Sequence, residues 1–122
     1  MYLVGAAHAN KQRVIELVPQ LLAAHEILVT SGETFQEIVH RYVALRDRIH
    51  LHAAYEALEA LVSRTGDVTK ADVDAARGLA GQYAKLSSRD CLHVAVMTRL
   101  GCRKIWSYES GFDSVPKIQR IF

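Results

Sequence analysis

Five stretches of this chain repeat apolar residues at helical spacing, and short apolar runs stand between them. Val14, Leu17, Val18, Leu21 and Leu22 predict a helix over about 11–25, kinked or split at Pro19. Ile27, Leu28, Val29 and Thr30 read as a buried strand. The next helix carries Phe35, Ile38, Val39 and Tyr42 on its inner stripe, behind a box-like cap from Thr30 to Glu33. A further helix covers about 50–64, with Val68 as a possible short strand after Gly66 and Asp67. Thr69-Lys70-Ala71-Asp72 and Ser87-Ser88-Arg89-Asp90 each open another helix, and Gly101 closes the second. Residues 104–108 form a strand, 109–113 a turn, and 118–122 a last strand.

Strands separated by helices predict an α/β fold, a parallel sheet flanked by helices. The opening run Met1 to His8 reads as an apolar stub before a polar break, and the strand count is low for such a fold, so a further strand is expected before residue 1 and the sheet is expected to lack its first strand. The 122 residues suit a single domain, and 50% hydrophobic content suffices for one core. Cys91 and Cys102 lie eleven helical steps apart, roughly 16 Å, too far for a disulfide. Free thiols and no signal peptide predict a cytoplasmic protein. A formal charge of +2 permits a nucleic-acid partner without arguing for one. No glycine-rich phosphate loop follows any strand, which disfavours a nucleotide-binding or receiver-like domain.

The acids change the picture. In a parallel sheet, the carboxyl ends of strands and the starts of the following helices share one rim. Glu37 lies near the start of one such helix and Asp90 in the first turn of another. Glu109 and Asp113 follow strand 104–108. Four acids distant in sequence are therefore expected at one edge, where they repel each other unless a cation intervenes. Oxygen donors without Cys or His suit Mg²⁺ or Mn²⁺. Taken singly, each acid has a plainer reading: Asp90 as a cap, Glu37 as a partner of Arg41, Glu109 and Asp113 as turn residues.

The local wording adds weight. Val29-Thr30-Ser31 with Phe35 to Tyr42, Leu86 to Met97 around Ser88-Arg89-Asp90, and Ile105 to Asp113 resemble three of the acidic motifs of VapC-type PIN domains, in order and spacing. The resemblance spans essentially the whole chain. It implies a PIN fold, divalent-metal-dependent cleavage of RNA, a cognate antitoxin protein and a homodimer. It also implies Glu37 and Asp90 as metal ligands and catalytic acids. The fourth acid falls on Glu109, where the family usually has Asp, with Asp113 as the alternative. Arg89 and Arg41 are candidate RNA contacts.

The family begins with a strand ending in Asp, a central metal ligand, whereas here no Asp or Glu precedes Glu16. This reading expects either a start assigned to an internal Met or an N-terminally incomplete copy. The competing function is a catalytically impaired remnant that keeps antitoxin binding and self-association.

Overall fold

Two residues near the amino end, Tyr2 and Leu3, form the middle strand of a five-stranded parallel sheet. In chain order the strands are β1 (Tyr2–Leu3), β2 (Val29–Ser31), β3 (Arg64–Gly66), β4 (Lys104–Trp106) and β5 (Gln119–Ile121). Across the sheet they run β3-β2-β1-β4-β5. The computed structural model describes residues 1–4 and 11–121, with the side chains of 11–15 and 17 outside that description. His8 and the polar break around it, and Phe122, lie outside the described residues.

The central position of β1 corrects the expectation of a missing first strand. Tyr2 pairs with Val29 on one side and Ile105 on the other, and Leu3 pairs with Trp106. Val29 N donates to Met1 O at 2.9 Å and Val4 N to Trp106 O at 3.2 Å. A strand hydrogen-bonded on both edges and covered on both faces shows no polar alternation, so a short apolar run is all the sequence reveals of it.

Side chains alternate between the two faces. Tyr2, Val29 and Ile105 join the layer formed with Ala76 and with Val94 and Met97. Leu3 and Trp106 pack on Phe35, Ile38 and Leu58 in the other. The helices are α1 (Lys11–Ala23), α2 (Gly32–Ala44), α3 (Arg48–Leu61), α4 (Lys70–Gln82) and α5 (Ser88–Arg99), and a 3₁₀ turn covers Ser110–Ser114. α1 is one helix with Pro19 inside it, not two pieces.

The strand expected at Val68 is instead Arg64–Gly66, a sheet-edge strand with Arg64 and Thr65 exposed. Its polarity hid it from a search for apolar runs. Ser31 also departs from expectation: it stands at the cap position of α2 but makes no side-chain cap bond. Gly101 ends α5 at φ 78°, the left-handed conformation that glycine adopts without strain. Cys91 and Cys102 are free, as expected. Among the described residues, no helix is long and apolar enough to cross a membrane.

Candidate active site

The strand order reverses its direction of growth at β1, with β2 and β3 laid down on one side and β4 and β5 on the other. In open parallel sheets the crevice beyond the carboxyl ends at such a point is where ligands bind. A cavity of about 330 Å³ opens there, lined by Val4 after β1, Glu37 of α2, Asp90 and Arg89 of α5, and Glu109 after β4. Lys85, Ser87 and Gly111 complete the lining. Three of the four expected acids therefore meet, each brought by a different element.

Each acid is held from behind. Glu37 Oε1 lies 2.8 Å from His93 Nε2, and that ring is fully buried. Asp90 sits in the first turn of α5, where the Ser87 hydroxyl accepts its backbone N–H at 3.2 Å. Burial pushes the Asp90 carboxyl above the usual range; the Ser87 hydrogen bond and His93 act against this, and the charges of Glu109 and Glu37 reinforce it. Glu109 is exposed at the rim, its backbone N–H donating to Ser107 Oγ at 3.0 Å. Gly111 is required by the fit of this turn against the segment before α5: a Cβ there would lie 2.5 Å from Lys85 O.

Asp113 is not brought to the cavity. Its two oxygens accept from Arg120 Nε and a terminal nitrogen, each at 2.9 Å, and this guanidinium holds the carboxyl below the ordinary range. The reason is local: Asp113 lies within the 3₁₀ turn, and the register of β5 brings Arg120 alongside it. Arg41 is exposed on α2 and is not part of the cavity lining, whereas Arg89 is.

Sequence reasoning missed Lys85, which has no motif of its own. From sequence, His93 read as either a core residue or a support beside the motif, without a named partner, although the Asp90–His93 spacing of three places both on one helical face.

The PIN domain family model matches residues 2–118 of this chain. A VapC ribonuclease of Mycobacterium bovis and ribonuclease VapC13 of Mycobacterium tuberculosis are each 40% identical to it over 121 residues, covering 99% of this chain and 92% of theirs. Ribonuclease VapC23 of Mycobacterium tuberculosis is 33% identical over 114 residues, 93% of this chain and 90% of its own. In fold, the chain is similar to the crystal structure of Mycobacterium tuberculosis VapC20, a sarcin-ricin loop cleaving toxin, with a TM-score of 0.69 at 18% identity over 94% of each chain. The chain belongs to the PIN domain family, in its VapC branch.

Proposed function

We propose that this protein is a toxin ribonuclease that hydrolyses RNA phosphodiester bonds with Mg²⁺ or Mn²⁺, restrained by a cognate antitoxin protein. The observation that carries the proposal is the meeting of Glu37, Asp90 and Glu109 in one cavity at the switch point of the sheet. Its relatives named as ribonucleases, similar over nearly their whole length, support the reaction class.

The donor set fits the metal. Its donors are all carboxylates, and the rise of the Asp90 carboxyl, part of it due to two neighbouring acids, is what a divalent cation would relieve. Among the described residues, no three such groups already stand as a closed clasp. Mg²⁺ commonly keeps several of its waters and needs only one or two protein carboxylates, so an open site is compatible with it. The chemistry it would supply when bound is activation of a water and stabilisation of the leaving oxygen. Of Glu37, Asp90 and Glu109, which line the cavity, one or two would hold it directly and the rest through its waters, while Arg89 and Lys85 would attract the RNA phosphates. Asp113, paired with Arg120, braces the turn that carries Glu109. The protein acts in the cytoplasm as a homodimer.

The experiment is cleavage of RNA by the purified protein with Mg²⁺ or Mn²⁺, after EDTA, and by Glu37→Gln, Asp90→Asn and Glu109→Gln. Cutting that needs the metal and all three acids is expected; metal-independent cutting, or none, overturns the proposal. One observation favours a second reading. No acid precedes Glu16, so β1 and Val4 bring no carboxylate to the cavity. A protein that binds an antitoxin and self-associates but cuts nothing fits that fact, and the same assay separates the two.

A further inference from the structure

Behind the cavity runs a chain of four side chains from separate elements. Ser31 Oγ lies 2.8 Å from the Tyr2 hydroxyl, which lies 2.8 Å from His93 Nδ1, and His93 Nε2 lies 2.8 Å from Glu37 Oε1. Ser31, Tyr2 and His93 are each 0% exposed. The Tyr2 and His93 rings meet edge-on, centroids 5.6 Å apart. This network explains why Ser31, at the cap position of α2, leaves the helix uncapped: its hydroxyl is turned to Tyr2.

The order of protons along it can be derived. An ionised Glu37 presents only acceptors, so His93 Nε2 carries the hydrogen that joins them. In a neutral ring Nδ1 is then an acceptor, the Tyr2 O–H donates to it, and Ser31 donates to the Tyr2 oxygen. In a doubly protonated ring Nδ1–H donates to the Tyr2 oxygen and Tyr2 donates to Ser31. Burial pushes the Tyr2 phenol up, so it keeps its proton in either case. Both arrangements present the same N–H to Glu37. Neither ring nitrogen is left for a substrate, and His93 does not line the cavity. A direct catalytic part is thereby excluded.

We infer that His93 is the positioning residue of this site: its Nε2–H fixes the Glu37 carboxylate through Oε1, with Tyr2 and Ser31 setting the angle of the ring. The inference rests on the reading of Glu37 as a metal-binding carboxylate. Partners that orient metal ligands in this way are typically worth about 10–100-fold in metal affinity or activity.

The test is Mn²⁺ titration by calorimetry, together with thermal melting, on the wild type, Glu37→Gln, His93→Leu, His93→Gln and Tyr2→Phe. His93→Leu is expected to weaken Mn²⁺ binding about 10–100-fold. His93→Gln retains an N–H in reach of Glu37 and is expected to recover most of the affinity. Tyr2→Phe is expected to lose less than His93→Leu, because it frees the ring without removing the donor. Wild-type binding that Glu37→Gln weakens but neither His93 variant changes overturns the inference about His93 alone. Absence of wild-type binding, or indifference to Glu37→Gln, overturns the site reading and this inference with it. Should His93→Leu fail to fold, the wild type carries the test by nitrogen NMR of the imidazole. The His93 Nε2–H signal is expected to be protected from exchange and to shift on Mg²⁺ saturation; a signal that Mg²⁺ leaves unmoved overturns the inference.

Discussion

Helices α4 and α5 both start on a hydroxyl residue followed three places later by aspartate, Thr69 with Asp72 and Ser87 with Asp90. At α4 the pattern closes on itself: the Thr69 hydroxyl accepts the Asp72 N–H at 3.2 Å, and Asp72 Oδ2 accepts the Thr69 N–H at 2.8 Å. Arg99, from the far end of α5, donates to Asp72 through Nε at 2.8 Å and a terminal nitrogen at 2.9 Å. At α5 the hydroxyl half of the box forms and the carboxylate half does not. Arg99 beside it holds the Asp72 carboxyl down at about 2, whereas burial pushes the Asp90 carboxyl up. One acid is committed to holding two helices together. The other stands beside a cavity, where burial and two neighbouring acids disfavour its charged form.

Exchanging each acid for its amide breaks the comparison most directly. Asp90→Asn is expected to lower RNA cleavage by about 100-fold or more, the scale of losing one electrostatic partner of a transition state. Its melting temperature should stay the same or rise, because the substitution removes a disfavoured charge. Asp72→Asn should do the reverse. A carboxyl lowered from 3.8 to about 2 contributes about 2 kcal/mol, so denaturant midpoints should fall accordingly while activity per folded molecule holds. Equal losses of activity in both variants would show that the two helix starts do not differ in kind.

The same pair sharpens with pH. Because the Asp72 carboxyl is lowered on folding, its contribution is fully present above about pH 3.8 and is lost as pH falls from there toward about 2. Urea unfolding of wild type and Asp72→Asn at steps between pH 2 and pH 6 should therefore show curves about 2 kcal/mol apart at the upper end that converge at the lower. Curves that stay parallel throughout would assign the role of Asp72 to shape, not charge.

Both helix starts were equally legible as sequence, and their difference was not. What separates them is Arg99, twenty-seven residues beyond Asp72, and no local pattern announces such a partner. The rim that gathers Glu37, Asp90 and Glu109 followed from strand-helix alternation alone, since that topology puts strand ends and helix starts on one side. Asp113 followed the same rule and misled, because Arg120 reaches it through the pairing of β5 with β4. The central strand was hidden for a different reason. Tyr2 and Leu3 are too few to show a period, and their partners Val29, Ile105 and Trp106 are distant in sequence. Placing Tyr2 there also brings its hydroxyl to His93, so the support behind Glu37 could not be read before the strand was found.

Gly111 couples the two regions in a smaller way, since the turn bearing Glu109 rests on the backbone just before α5. Gly111→Ala places a methyl group 2.5 Å from Lys85 O, a fixed obstacle, so the turn must move. A destabilisation of about 1–2 kcal/mol is expected, as for mild overpacking. Cleavage should fall further than the lost folded fraction explains, because Glu109 moves with the turn. Circular-dichroism melts paired with cleavage rates check both parts, and the α4–α5 junction at Asp72 should be untouched.

The smallest effects belong to the cations at the cavity, and they test whether the α5 start receives a polyanion at all. Arg89 and Lys85 are exposed and line the same cavity as the three acids, while Arg99 is bound to Asp72. A basic side chain that only contacts a phosphate adds affinity without changing the reacting geometry. Arg89→Ala and Lys85→Ala should therefore each raise KM for a single-stranded RNA a few-fold and leave kcat near wild type. Each should also lower the slope of log affinity against log salt by roughly 0.7, the release of about one counterion. The chemistry and the contact are separable on this ground: Asp90→Asn should leave the salt slope intact while removing the cleavage. If Arg89→Ala instead lowers kcat with KM unchanged, Arg89 acts on the transition state, and the α5 start would hold two catalytic groups in adjacent positions.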